Sequence, residues 1–218
     1  LAVRVDDGRY DRLPALAEEI AARKPAIIVA APTSATRAAA KAAPKTPIGN
    51  AGGDPVASGL VKSYARPGGM ITGLSNVFTE ISEKFLELLL AAAPKVRRVG
   101  FLIQRGSQAA IKENAQRSAA HHSVEARYEE VGRVEEIEPA LARLATEGIQ
   151  GLIVMPGTLL ATHRPRILKF ALAQRWPAVG MASAAEEGAL LGYGPDTRAL
   201  YRRAASFVAA AIGRRRSD

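Results

Sequence analysis

The side chains that most often carry out catalysis are few in this chain, and their spacing does not suit it. There is no cysteine. His121 and His122 are adjacent, and neighbouring residues on a helix point in different directions, so a shared metal site is not expected. Ser58 and Ser183 lack the flanking glycines of a nucleophile elbow, and the segment Gly192–Gly194 lacks the third glycine of a dinucleotide-binding fingerprint. We therefore expect no catalytic activity, no metal and no cofactor.

Side chains that suit the binding of a small polar solute do occur, and they follow predicted strands. Thr33 and Ser34 begin a predicted helix, where they can cap it or contact a ligand, and Asp54 has the same two possibilities. Thr158 can bind a carboxylate or belong to a simple turn. Glu186 can face an ammonium group or solvent. The candidate ligand-binding residues are Thr33, Ser34, Asp54, Gln104, Ser107, Thr158 and Glu186.

The stretch Gly53–Gly73 is unusually rich in residues that form turns. It contains the runs Gly-Asp-Pro-Val, Gly-Leu-Val and Ala-Arg-Pro-Gly-Gly-Met-Ile-Thr-Gly. Asp54 can cap a short helix, and Pro55 fits the first helical position, where a missing N–H costs nothing. The glycines permit backbone conformations that other residues resist. The sequence therefore predicts a long functional loop here.

The elements that must position these residues alternate between strand and helix. In the first part of the chain we predict a strand at Leu1–Val5, a helix at Asp11–Arg23, a strand at Ala26–Ala30, a helix from Thr33 to about Ala43 and a strand at Thr46–Gly49. A strong apolar helix follows the loop and ends near Pro94. This order is typical of parallel sheets with crossover helices.

The second part of the chain repeats the same alternation. Five further strands are predicted, at Val99–Ile103, Val124–Val131, Gly151–Met155, Ala178–Met181 and Ala189–Tyr193. The predicted fold class is α/β, with two Rossmann-like lobes whose parallel sheets are flanked by helices. The predicted lobes comprise residues 1–95 and 96–218. Ligands of such sheets bind beyond the carboxyl ends of the strands, where the candidate residues lie.

The charge of the chain does not indicate a nucleic-acid partner. The formal net charge is +9 over 218 residues, and 48% of the residues are apolar, which suffices for a packed core. Lysine and arginine are scattered along the chain, however, and the one dense block is Arg214–Arg216. With no helix-turn-helix pattern and no interleaved aromatic residues, we expect no nucleic-acid binding.

Several segments resemble one known family. The loop Gly53–Gly73 is similar to a run in bacterial ABC-transporter substrate-binding proteins of the uncharacterised, tryptophan/tyrosine-binding-like family. Gly8–Ala17, which reads Gly-Arg-Tyr-Asp-Arg-Leu-Pro-Ala-Leu-Ala, resembles another family segment, as do Tyr193–Asp196 and Leu200–Ala205. These matches are spread over nearly the whole chain.

The resemblance implies a type I periplasmic-binding-protein-like fold and a solute receptor of a bacterial ABC importer. Such a receptor binds a small molecule between two lobes, here an amino acid or related carboxylate, and delivers it to ABC permease subunits. The implied location is periplasmic or membrane-anchored and extracytoplasmic. Two alternatives remain: an effector-sensing regulatory domain of the same fold, and a Rossmann-class enzyme.

Relative to the family, the first strand and helix and a C-terminal return segment are not in this sequence, so the resemblance implies an incomplete first lobe. A parallel sheet without its central strand would leave backbone N–H and C=O groups unpaired. The remaining strands can pair directly, a second copy can donate a strand, or the lobe can be distorted. We expect a homodimer through the first lobe, and a more regular second lobe.

Overall fold

Two parallel β-sheets with helices packed on them form the framework of the chain. A computed structural model describes residues 1–76, 78–107 and 109–215. One sheet lies in a first unit, which contains Leu1–Asp6, Tyr10–Val77 and Asp196–Asp218. The other lies in a second unit, which contains Asp7–Arg9 and Phe78–Pro195. The α/β fold class with parallel sheets is therefore confirmed.

The sheet of the first unit has three strands in the order β1-β2-β3. These are β1 (Ile28–Ala30), β2 (Ile48–Ala51) and β3 (Ile71–Leu74). Both pairings are parallel, and the register aligns Ile28 with Ile48 and Ile48 with Ile71. The three isoleucines are buried in one cluster with Ala39 and Ala43. Small alanine side chains let the helix that carries them pack close to the sheet.

Three long helices belong to the first unit. They are α1 (Leu13–Ala22), preceded by the 3₁₀ turn Tyr10–Arg12, then α2 (Thr33–Ala42) and α8 (Thr197–Arg215). Helices α1 and α2 pack against each other, and α2 connects β1 to β2 as the crossover that parallel strands require. Helix α8 packs against β2 and β3.

The sheet of the second unit has five parallel strands in the order β5-β4-β6-β7-β8. These are β4 (Arg98–Gln104), β5 (Glu125–Val131), β6 (Gly151–Val154), β7 (Ala178–Gly180) and β8 (Leu191–Gly192). The helices of this unit are α3 (Phe78–Ala92), α4 (Ala109–His121), α5 (Ile137–Thr146), α6 (Thr158–Thr162) and α7 (Arg164–Ala173), with 3₁₀ segments at Val134–Glu136 and Ala182–Glu187. The five strands predicted from the sequence for the second part of the chain are confirmed.

Both faces of the five-stranded sheet are covered, because successive residues of a strand point to opposite faces. Phe101 lies in a buried cluster with Phe85 and Leu89 of α3. Leu102 lies in a second cluster with Leu141 of α5. Burial of one such side chain stabilises the fold by about 1.5–3 kcal/mol. This two-sided burial explains why β4 is apolar at nearly every position.

The structure differs from the sequence-based prediction in three places. Leu1–Val5 forms no strand, and its apolar side chains are exposed. The strand β3 begins inside the predicted loop Gly53–Gly73, because Ile71 and its neighbours pair with β2. The predicted lobe boundary at residues 95 and 96 falls inside the second unit, because the apolar face of α3 packs in the core around Phe101.

The expected gap in the first sheet is not seen in the described residues. The strands β1, β2 and β3 are hydrogen-bonded to one another as direct neighbours, so no strand is missing between them. β1 is an edge strand, and its Val29 side chain is half exposed. Of the helices in the described part of the chain, none is both long and apolar enough to cross a membrane.

Candidate functional site

Thr33 connects the end of β1 to the loop that follows β2. It is the first residue of α2 and is almost fully buried. Its Oγ1 accepts a hydrogen bond from the backbone N–H of Asp54 at 3.0 Å. Pro32 occupies the N-cap position, so no side chain caps the helix from that residue. The neighbouring Ser34 is half-buried in the first turn of α2.

Asp54 is a buried carboxylate, 3% exposed, just beyond the carboxyl end of β2. Its Oδ1 accepts hydrogen bonds from the backbone N–H groups of Val56 (3.1 Å) and Ala57 (2.9 Å) and from the Tyr64 hydroxyl (2.8 Å). The predicted capping role of Asp54 is thus seen in the hydrogen bonds, although the capped segment is a series of turns rather than a helix. Among the described residues, no donor contacts Oδ2.

A buried chain of hydrogen bonds between polar side chains crosses the same edge of the first sheet, and it was not predicted from the sequence. The Thr36 hydroxyl donates to Asn50 Oδ1 at 2.7 Å, and Asn50 Nδ2 donates to the Leu74 carbonyl at 2.6 Å. Thr36 lies one turn into α2 and Asn50 lies on β2, so the chain ties helix, β2 and β3 together. A buried asparagine in a strand was the only available signal in the sequence, because polar groups are buried only when they are hydrogen-bonded.

Asn76 is a third residue that was not identified from the sequence. It follows β3, is buried, and accepts a hydrogen bond at Oδ1 from the Gly53 N–H (2.8 Å). Its own backbone N–H donates to the Gly53 carbonyl at 3.1 Å. The loops after β2 and β3 are therefore fastened together next to Asp54.

In the second unit, the Gln104 side chain links three segments at the carboxyl edge of the sheet. They are its own segment, the one that contains Gly8 and the start of α6. It is the last residue of β4 and is fully buried. Its Nε2 donates to the Gly8 carbonyl (3.0 Å), and its Oε1 accepts from the backbone N–H of Leu159 in α6 (2.9 Å). Both ends of the amide are thereby paired. Gln104 was predicted to bind ligand, but its side chain is occupied by hydrogen bonds within the protein.

Ser107 and Thr158 both lie next to Gln104. Ser107 is half-buried, and its backbone N–H donates to the Gln104 carbonyl at 3.1 Å. Thr158 begins α6, and its Oγ1 is buried without a hydrogen-bond partner among the described residues. An unpaired buried hydroxyl is costly unless something binds it.

Glu186 and Glu187 have different surroundings although they are adjacent. Glu186 is exposed on the 3₁₀ segment Ala182–Glu187. Glu187 makes a two-point ion pair with Arg164, through Nε (2.8 Å) and Nη2 (2.6 Å). Those hydrogen bonds lower the pKa of Glu187 below its ordinary value. Arg164 was not identified from the sequence, because nothing local distinguishes it from an exposed helix arginine.

The candidates thus form groups within each unit. Thr33 and Asp54 are joined directly in the first unit, with Ser34 next to them. Gln104, Ser107 and Thr158 are neighbours in the second unit, whereas Glu186 lies on the segment after β7. No group of three or more histidine, aspartate or glutamate side chains in the described residues could hold a metal ion.

The sequence profile of the ABC transporter substrate binding protein family matches residues 6–213. A tyrosine-binding protein from Clostridioides difficile (strain R20291) is 28% identical over 181 residues, which cover 80% of this chain and 50% of that protein. This chain therefore spans about half the length of that curated relative.

Two solved structures share the fold. A conserved domain protein from Vibrio cholerae O1 biovar El Tor superposes with a TM-score of 0.85 at 24% identity, over 94% of this chain and 70% of that one. The ABC domain from Streptococcus pneumoniae, crystallised in complex with L-Trp, superposes with a TM-score of 0.78 at 22% identity, over 94% and 72% of the two chains. The predicted type I periplasmic-binding-protein-like fold is confirmed. Because the family profile matches almost the entire length, this chain belongs to the ABC transporter substrate-binding protein family.

Proposed function

We propose that this protein is the non-catalytic solute receptor of a bacterial ABC importer and that its solute is an amino acid or a related carboxylate. The observation that carries this proposal is the environment of Asp54. All three donors that the described residues supply to this buried carboxylate bind Oδ1. Oδ2 is therefore the atom that can accept a hydrogen bond from the ammonium group of a ligand, and charge-assisted hydrogen bonds of this kind are strong.

The start of α2 supplies the complementary chemistry for the carboxylate of the same ligand. A helix N-terminus carries partial positive charge and favours an anion, and α2 is ten residues long. Thr33, at this terminus, is hydrogen-bonded to the backbone of Asp54. The ammonium and carboxylate groups of a free amino acid are only a few bonds apart, so Asp54 and the first turn of α2, with Ser34, can bind both.

The family relationship supports the same ligand class. The Clostridioides difficile relative is a tyrosine-binding protein, and the Streptococcus pneumoniae structure is a complex with L-Trp. We extend aromatic amino acids to this chain as the first ligands to test. That Gln104, Ser107, Thr158 and Glu186 of the second unit contact the same ligand stays a prediction. Thr158 is the best supported of them because its buried hydroxyl has no hydrogen-bond partner within the described part of the chain.

The test is the substitution Asp54→Asn, measured by titration calorimetry with L-tyrosine and L-tryptophan. Loss of the negative charge should weaken binding roughly 10- to 100-fold, because hydrogen bonds to charged groups contribute about 1.5–3 kcal/mol. The matched control is Asp196→Asn. Asp196 also accepts two backbone N–H bonds, from Arg198 and Ala199, at the start of α8. The control should leave the affinity unchanged.

Ligand analogues separate the two parts of the proposed recognition. Tryptamine keeps the ammonium group but lacks the carboxylate, and indole-3-propionate keeps the carboxylate but lacks the ammonium group. Both should bind the native protein more weakly than L-tryptophan, and Asp54→Asn should not weaken indole-3-propionate further. Equal affinities of the two Asp54 forms for L-tryptophan would reject the assignment of Asp54.

A thermal-shift screen tests the function class. A ligand that binds only the native state raises the melting temperature. Stabilisation by amino acids supports the receptor proposal. Stabilisation by sugars alone would favour an effector-sensing domain, and stabilisation by nicotinamide cofactors would favour a Rossmann-class enzyme.

The proposed partners and location follow from the family. We propose that the receptor delivers its solute to ABC permease subunits from an extracytoplasmic position. We also propose that the edge of β1 mediates a homodimer, because an edge strand with a half-exposed Val29 can pair with a second copy. Light scattering at micromolar concentration should give twice the monomer mass, and a clean monomer would reject the dimer without affecting the receptor proposal.

A further inference from the structure

We infer that Arg164 is a positioning residue for ligand binding, which holds the 3₁₀ segment Ala182–Glu187 at the carboxyl edge of the second sheet. The inference rests on the proposed function, since it concerns the same binding activity. Arg164 is the first residue of α7, yet its side chain is only 9% exposed. A charged side chain is seldom buried to this extent without partners.

The guanidinium group contacts both ends of the segment. Nε and Nη2 donate to the two carboxylate oxygens of Glu187 at 2.8 and 2.6 Å, and Nη2 also donates to Ser183 Oγ at 2.8 Å. The planar fork of arginine matches a carboxylate in a way that a lysine ammonium does not. One side chain thus fixes two positions that are four residues apart.

The other side of the segment is packed against the strands. Ala184 is fully buried, and a Cβ on Gly180 of β7 would stand 3.3 Å from its Cβ. A Cβ on Gly192 of β8 would stand 2.2 Å from the Ala182 carbonyl oxygen. The segment is therefore held between the sheet and Arg164, and removal of Arg164 frees one of its two sides.

The ion pair occupies Glu187, so Glu186 is the acidic side chain of the segment that can bind a ligand. Glu187 is turned to Arg164 and its charge is compensated, while Glu186 remains exposed and makes no ion pair with the described residues. Ser183 accepts a hydrogen bond from Arg164, and its hydroxyl proton is left for another acceptor. The Glu186 carboxylate and the Ser183 hydroxyl are therefore the groups of the segment that can still bind a ligand.

The test compares Arg164→Gln and Arg164→Lys with the matched control Arg166→Gln. Arg166 lies on the same helix and pairs with Glu138, but both side chains are about half exposed, so their ion pair should contribute little. Calorimetry with L-tyrosine and L-tryptophan, well below the melting temperature, should show a loss of roughly fivefold or more for Arg164→Gln. Arg164→Lys should retain part of the affinity, and Arg166→Gln all of it.

Hydrogen exchange without ligand supplies a readout that general destabilisation would not mimic. Arg164→Gln should accelerate exchange of the amides in residues 182–188 and leave those of β4 and β6 unchanged. If Arg164→Gln does not fold, Ser183→Ala removes one contact of the guanidinium group and should show a smaller change of the same kind. Uniform acceleration over the second unit, or unchanged exchange, would overturn the inference.

The outcomes separate this inference from the proposed function. If the unaltered protein binds no amino acid, the proposed function fails and the positioning role fails with it. If the unaltered protein binds and Arg164→Gln binds equally well, only the positioning role fails.

Discussion

Gly53 and Thr33 approach each other so closely that only a glycine fits. A Cβ on Gly53 would stand 1.9 Å from Thr33 Oγ1 and 2.8 Å from the Thr33 backbone nitrogen. The φ angle of Gly53 is +81°, in the left-handed region. This contact brings the backbone of the loop after β2 to the first turn of α2, and the next residue of that loop is Asp54.

Gly53→Ala should therefore destabilise the protein by about 2–4 kcal/mol, from the strain at positive φ and the clash with backbone atoms. The matched control is Gly59→Ala, in the same loop. Gly59 also has a positive φ, +70°, but nothing lies within 4 Å of the added methyl group. The Gly59→Ala substitution should lower the free energy of unfolding by only about 1–2 kcal/mol. Urea unfolding measures both free energies, and equal costs would show that the Thr33 contact is unimportant.

Thr36→Val tests the buried polar chain. Valine keeps the shape of threonine but leaves Asn50 Oδ1 without its donor, which should cost about 1–3 kcal/mol. Thr146→Val is the control, because the Thr146 hydroxyl donates to the Arg143 carbonyl on the exposed end of α5. Its effect on the free energy of unfolding should be within about 0.5 kcal/mol. A Thr36→Val variant as stable as the native protein would contradict a structural role for this hydrogen bond.

Thr158→Val separates stability from binding. The Thr158 hydroxyl is buried and unpaired among the described residues, so its removal should leave the ligand-free protein equally stable or slightly more stable. If the hydroxyl contacts the ligand, affinity for L-tyrosine or L-tryptophan should fall by roughly tenfold. Thermal unfolding and calorimetry on one sample give both quantities. Unchanged affinity would remove Thr158 from the binding site.

A double variant that removes the hydroxyls of both Thr33 and Thr158 would be harder to interpret than Thr158→Val alone. Thr33 Oγ1 accepts the hydrogen bond of the Asp54 N–H, so Thr33→Val should disturb the loop as well as any ligand contact. A weaker affinity in the double variant would have two explanations. Thr158→Val alone avoids this ambiguity.

Glu187 should make the stability of the protein depend on pH. Its pKa is lowered in the folded state by hydrogen bonds from Arg164, whereas in the unfolded chain the pKa returns to the ordinary value of a glutamate. The stabilisation is therefore fully present above the unfolded pKa and is lost as pH falls through the folded pKa. Urea unfolding between pH 7 and pH 3 measures the free energy of unfolding of the native protein and of Glu187→Gln. The difference between the two free energies should become smaller as pH falls. A constant difference would contradict this coupling.

The regular elements were predictable where a local pattern reports burial directly. The continuous apolar run of β4 and the helical spacing of Phe85 and Leu89 in α3 identify these elements without reference to distant residues. β3 was missed because four residues among glycines carry little signal, and their strand conformation comes from pairing with β2. Leu1–Val5 has a weak alternating pattern, but alternation alone does not provide a neighbouring strand to pair with.

For the candidate site, the sequence alone determined which loops carry polar residues, because the alternation of strands and helices places them at the carboxyl ends of parallel strands. It also indicated capping as one of two possible roles for Asp54, and this role was predictable because the interaction spans only three residues. The tertiary structure decided the roles of Arg164, Gln104 and Asn76. Their partners lie 23, 96 and 23 residues away in the chain, and a contact between distant residues depends on how whole elements pack rather than on any local pattern.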